Sequence, residues 1–272
     1  MKDVESKGVS YIVKGKYAII TLNNPSRLNA LTRRQYYRLA SIMDEIDENP
    51  QVVVTVLIGK GRYFSAGANI ADRATQREPD IRLHWLQNFV ANNLYLTHAF
   101  SIHSKIFVAA LNGPAIGGSA AVAAFADFIY AAPHTFLLTP FASLGLVAEV
   151  GTSRTLVQRL GISLANEAML MGRKISSQEL VRCGFANKII DVAEGDDVMF
   201  LDLVMKELDK KLGSHLNAES LLQIKDLIRR PERDTLAMQN VAEVFAGWKR
   251  LTSGLVDEEM RKMRTGKKRH KL

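Results

Sequence analysis

Two unbroken apolar runs, VVVTVLIG at 52–59 and IFVAAL at 106–111, restrict the fold more than any other feature of the chain. A strand with one face in water alternates apolar and polar residues. A continuous run suits a strand covered on both faces, as in the parallel sheets of α/β proteins. VSYIV and YAIITL, separated by Lys14-Gly15-Lys16, read as a hairpin. FIYAA and TFLLT read as further short strands. Helical patterns lie between the strands. Tyr36, Leu39, Met43 and Ile46 share one face behind a Thr32/Gln35 capping box, and Pro50 supports an end near Asn49. Gly118 to Ala126 and Ser153 to Leu160 are also expected to be helical. Strands alternating with helices imply α/β layering. From about Val198 strand signals vanish, so the chain divides into a core at 1–197 and a helical C-terminal region at 198–272 that ends in a basic tail.

Composition narrows the class. The 272 residues include one cysteine, Cys183, so no intrachain disulfide can form and a reducing compartment is expected. No apolar run reaches the ~20 residues of a membrane span. The start, MKDVESKGVS, lacks the apolar core of a secretory signal. The net charge of +8 could suit an anionic partner, but the tail RKMRTGKKRHKL carries most of the excess. Neither zinc-finger spacing nor an aromatic–basic RNA-binding signature is present, so nucleic acid is not the expected partner. The histidines form no recognised ligand set, and no metal site is expected.

Each buried strand runs into a glycine-bearing turn, GRYFSAGAN after the first and NGPAIGGSAAVAAFAD after the second. The ends of strands in α/β sheets are the favoured place for ligands. Neither turn is a dinucleotide fingerprint or a P-loop. The second opens a helix of small residues, whose first N–H groups lack helical partners. A third feature is SLGLVAEVGT, in which Glu149 is the only charge among ten residues. A carboxylate in apolar surroundings is expected to have a raised pKa and to act as a better base. Two N–H donors for an oxyanion and one carboxylate to move a proton are the equipment for enolate chemistry beside a carbonyl.

NNPSRLNALT, GRYFSAGAN, LNGPAIGGSAAVAAFAD and LLTPFASLGLVAEVGTSRTL, in that order, resemble the crotonase (enoyl-CoA hydratase/isomerase) superfamily over residues 10–190. Within it the chain is most similar to the fungal peroxisomal Δ3,Δ2-enoyl-CoA isomerases and their dienoyl-CoA isomerase paralogues. The resemblance implies an α/β spiral of ββα units with a C-terminal helical region, assembled as a trimer or hexamer. It implies an acyl-CoA thioester substrate and no separate cofactor, coenzyme A being part of the substrate. By motif match the oxyanion hole is formed by the N–H groups of Ala68 and Gly118. Ala66, Gly67, Ala68, Asn69 and Ile70, with Gly118, should line the substrate. Asn69 stands where the family usually has Asp.

The hydratase carboxylates of the family would fall at Ala121 and Phe141, so hydratase chemistry is not expected. Glu149 matches the catalytic Glu of the fungal isomerases. The implied activity is transfer of a 3-cis or 3-trans double bond to 2-trans in the β-oxidation of unsaturated fatty acids. Dienoyl-CoA isomerisation is the alternative, and a non-catalytic acyl-CoA- or RNA-binding or assembly protein is a further one. His270-Lys271-Leu272 resemble a peroxisomal address read by an import receptor, with the basic run before them extended or disordered.

Overall fold

The computed structural model describes residues 8–69 and 79–268. Ile70 and the tripeptide His270-Lys271-Leu272 lie outside the described residues. Strands β1 (Val9–Lys14) and β2 (Tyr17–Leu22) form the expected antiparallel hairpin. Helix α1 (Arg33–Asp47) begins at the expected capping box. The Gln35 N–H donates to Thr32 Oγ1 at 3.2 Å, and the Thr32 N–H donates to Gln35 Oε1 at 2.9 Å. The two apolar runs become β3 (Val54–Gly59) and β4 (Ile106–Leu111), and every residue of both is buried. Between them lie α2 (Ile81–Trp85), a π-helical turn at 86–90, and α3 (Ala91–Ile102).

Beyond β4 the chain repeats one plan. A strand of the large sheet is followed by a short strand of a second sheet, and then by a helix. Strand β4 leads to β5 (Ala115–Ile116) and α4 (Gly118–Ala123), which ends earlier than the Ala126 expected from sequence. Strand β6 (Phe128–Ala131) leads to β7 (Phe136–Leu138) and α5 (Thr152–Leu160). Helix α6 (Ile162–Met169), β8 (Ile175–Ser176), α7 (Ser177–Arg182) and β9 (Lys188–Ile189) complete the core. The six-stranded sheet has the order β1-β2-β3-β4-β6-β9, parallel from β2 onward, and the smaller sheet has the order β5-β7-β8.

Alternate residues of the central strands serve two cores. Leu57, Phe107, Ala109 and Leu111 face Leu39, Met43, Phe100 and Ala120 from α1, α3 and α4. Val54, Val56, Ile106 and Val108 face Phe200, Val204 and Leu208 from α8 (Asp197–Lys211). The first helix of the C-terminal region is thus a layer of the core itself, because the apolar second face of the sheet needs a cover. Helix α9 (Ala218–Thr252) packs on α3, and α10 (Leu255–Arg264) follows.

The start of the basic tail departs from the extended form expected. Residues 261–264 belong to α10, where Arg261 pairs with Glu258 at 2.8 Å and Lys262 with Glu259 at 2.8 Å. Val256 and Met260 bury the other side of this helix against Trp85 and Phe141, so amphipathic packing wins over charge repulsion.

Candidate active site

The loop after β3 is held from outside by Asn29. This residue is fully buried and has a left-handed φ of 55°. Its amide donates to the carbonyls of Lys60 at 2.9 Å and Tyr63 at 2.8 Å. Leu31 then pairs with the loop as in a parallel ladder. Its N–H donates to Gly67 O at 2.8 Å, and its carbonyl accepts from the Asn69 N–H at 2.8 Å. Because both bonds straddle Ala68, the N–H and C=O of Ala68 itself are turned to the opposite side.

The two glycine turns are locked to one another. The Ser65 N–H donates to Pro114 O at 3.2 Å, and the Ile116 N–H donates to Ser65 O at 3.0 Å. Ser119 Oγ lies 2.9 Å from Ser65 O and accepts from the Ile116 N–H at 3.0 Å, which ties the two turns together. Gly67 has φ +83°, and a Cβ there would stand 2.4 Å from Ile116 O, so only glycine permits this approach. The arrangement brings Ala68 beside Gly118, the first residue of α4, whose N–H is one of the helix's orphan donors.

Ala68, Asn69, Gly118 and Glu149 line one cavity of about 670 Å³, open to solvent. Ala66 and Gly67 do not line it. Their backbones instead fasten the segment, the Ala66 N–H to Leu28 O at 2.8 Å and the Gly67 carbonyl to the Leu31 N–H. Sequence reasoning missed the rest of the wall. Trp85, Asn88, Phe89, Asn92, Asn93 and Leu96 come from the helical stretch 81–102, while Tyr36 and Arg33 come from α1. The available signal was the asparagine cluster at 88–93 within an otherwise apolar helix, around a π-turn of the kind that often marks a functional site.

Among the described residues that line the cavity, Glu149 is the one carboxylate. Ala121 is fully buried in the core, and Phe141 packs in the cluster with Trp85 and Leu146. Glu149 is half-buried and sits in a tightly bonded turn. Its N–H donates to Thr152 Oγ1 at 3.2 Å, and its carbonyl accepts from that hydroxyl at 2.9 Å. Val150, next in the chain, has φ +57°, an outlier for a β-branched residue that costs roughly 1–3 kcal/mol.

Three other polar side chains hold the structure together. Asp127 Oδ2 accepts from the Phe107 N–H at 2.8 Å and pairs with Lys225 at 2.9 Å, while Oδ1 pairs with Arg229 at 2.7 Å. Burial raises the Asp127 pKa, but the charges of Lys225 and Arg229 outweigh it and hold the carboxyl below the usual range. His103 Nε2 meets Thr55 Oγ1 at 2.8 Å, and His134 Nε2 meets Asn112 O at 2.9 Å. Among the described residues no helix is long and apolar enough to cross a membrane.

The family profile described as Enoyl-CoA hydratase/isomerase matches residues 14–244. The chain belongs to the enoyl-CoA hydratase/isomerase family. It is 53% identical to a Delta(3,5)-Delta(2,4)-dienoyl-CoA isomerase of Pyricularia oryzae, over 95% of this chain and 97% of the relative. It is 32% identical to a 3,2-trans-enoyl-CoA isomerase of Saccharomyces cerevisiae, over 98% of both chains. In fold it is similar to an enoyl-CoA hydratase/isomerase from Pseudoalteromonas atlantica, with a TM-score of 0.84 at 24% identity over 98% of this chain and 100% of that one.

Proposed function

We propose that this chain is an enoyl-CoA isomerase that moves a 3-cis or 3-trans double bond to 2-trans with one base. The observation that carries the reading is that, among the described residues, one carboxylate lines a cavity that also holds Ala68 and Gly118. A thioester oxygen placed between the N–H groups of Ala68 and Gly118 gains negative charge when a proton leaves carbon 2, and these donors stabilise the resulting dienolate. Glu149 takes that proton and returns it to carbon 4, so no atom is gained or lost and no second acid is needed. Hydration would need a group to hold and activate water. Ala121 and Phe141 offer none. Trp85, Phe89 and Leu96 give the cavity apolar walls suited to an acyl chain and to keeping water from the dienolate.

Dienoyl-CoA isomerisation is the second reading, favoured by the name of the Pyricularia oryzae relative. The purified protein should be assayed on 3-cis-, 3-trans- and 3,5-dienoyl-CoA, and on 2-trans-enoyl-CoA for hydration. Turnover of the 3-enoyl esters with little hydration is expected. Hydration at a rate matching isomerisation would overturn the single-base reading. The proposal includes a homo-oligomer and a peroxisomal location within β-oxidation. The location is supported by the likeness of His270-Lys271-Leu272 to an import tripeptide and by the substrate class.

A further inference from the structure

We infer that Glu243, with Asn93 and Asn240, is a positioning residue for Glu149: together they hold the strained turn that aims its carboxylate. The inference rests on Glu149 being the base. Val150 and Gly151 are consecutive left-handed residues, φ +57° and +71°, between Glu149 and the start of α5. Glycine adopts this conformation readily, but valine does not. A strained residue persists where its surroundings over-determine it. The restraints here come from two distant helices.

From α3, Asn93 Oδ1 accepts from the Val150 N–H at 3.2 Å. From α9, Asn240 Nδ2 donates to the same Oδ1 at 3.2 Å, which fixes the Asn93 amide with its oxygen toward the turn. Also from α9, Glu243 Oε2 accepts from the Gly151 N–H at 2.7 Å, and Oε1 accepts from the Ser153 N–H at 2.8 Å. Asn240 and Glu243 are 3% and 5% exposed and do not line the catalytic cavity, so they are not placed to touch substrate. A buried carboxylate on two N–H groups at a helix start makes strong, charge-assisted hydrogen bonds. The side chain of Leu236, again on α9, packs so near Gly151 that a Cβ there would stand 2.8 Å from it.

The consequence concerns direction. If the restraints on Val150 and Gly151 are released, Val150 relaxes toward negative φ. The peptide plane joining it to Glu149 then rotates, and the carboxylate leaves its line to carbons 2 and 4. A misplacement of about 1 Å is enough to cost ~10²-fold in rate.

The test uses the full chain. Glu243→Gln keeps the volume but supplies one acceptor where two N–H groups need one each. Asn240→Ala leaves Asn93 in place without its anchor. The Glu243→Gln protein should lose roughly 10–100-fold in kcat on 3-enoyl-CoA, with KM and the Kd of a saturated acyl-CoA within about threefold of wild type. Asn240→Ala should show the same split at about 3–10-fold. A folded Glu243→Gln protein with wild-type kcat overturns the inference. So does a parallel fall of kcat and acyl-CoA binding, which marks a merely structural role. If Glu243→Gln does not fold, Asn240→Ala decides by the same two criteria. Glu149→Gln, measured alongside, separates the two assignments. Its retention of turnover overturns the base and the inference together. Its inactivity beside normal turnover in the other two variants overturns the inference alone.

Discussion

Asp127 and Glu149 each interrupt an apolar stretch, and the fold treats them in opposite ways. Asp127 closes the small-residue segment after α4, where Lys225 and Arg229 reach it from α9 and the Phe107 N–H from β4. Its charge is compensated, and its oxygens are committed to fixed donors. Glu149 stands in the wall of a cavity also lined by Trp85, Phe89 and four asparagines, and the strong bonds of its turn engage the backbone around it. On the proposed mechanism, the difference separates a carboxylate that holds the structure from one that exchanges a proton with substrate. Distance from the glycine turns does not separate them, because Asp127 is nearer to Gly118 in sequence. What separates them is that Glu149 lines the open cavity and Asp127 does not.

The sharpest way to break the comparison is to neutralise each carboxylate. Glu149→Gln should lower isomerisation by about 10²–10⁴-fold while leaving folding and acyl-CoA binding largely intact. Asp127→Asn should do the reverse. Turnover per folded molecule stays close to wild type, while stability to urea falls by roughly 3 kcal/mol because Lys225 and Arg229 lose a buried partner. If the two variants exchanged these effects, the division would be wrong.

The next largest effect concerns the oxyanion donors. Gly118→Pro removes an N–H and should reduce turnover about 10²–10³-fold. Gly118→Ala keeps the N–H, but its Cβ would stand 2.9 Å from Tyr36 Oη at the cavity wall. It should therefore also lose turnover, and Tyr36→Phe in the same chain should recover part of that loss. Wild-type kcat in the proline variant would remove this donor from the mechanism.

A smaller effect sharpens the comparison through pH. His103 meets Thr55 Oγ1 and lies 3.3 Å from Asp47 Oδ1, within the electrostatic reach of Asp127 and Lys225, and burial, helped by the charge of Lys225, pushes its pKa down to about 3. The unfolded chain takes up this proton near pH 6.5 and the folded chain does not. Stability is therefore present above pH 6.5 and declines below it, by roughly 2 kcal/mol at pH 5. The Asp127 pKa is lowered, so its contribution is lost only below about pH 4, outside this window. Denaturant melts at pH 7 and pH 5 should show a slope that His103→Gln flattens. An unchanged slope in that variant would place the titrating group elsewhere.

Much of this protein was legible from local pattern. The two buried runs became the central parallel strands, Thr32 and Gln35 capped α1, and the glycine turns met where strand ends place them. The isolation of Glu149 in sequence marked the carboxylate that the cavity holds. These features depend on neighbours within a few residues, or on glycines that permit one close approach.

The sequence alone did not disclose that α8 covers the second face of the sheet, that 81–102 supplies the cavity wall, or that Asn93, Asn240 and Glu243 meet at one turn. Asn240 and Glu243 read as ordinary polar residues of a long amphipathic helix; Glu243 bonds to the Glu149 turn across some ninety residues, and Asn240 bonds to Asn93. The local chemistry of the chain marked Glu149 as a carboxylate isolated among apolar residues. How the turn after Glu149 is held was decided only when α3 and α9 packed together, because the bonds to the Val150 and Gly151 N–H groups come from Asn93 and Glu243, far away in the chain.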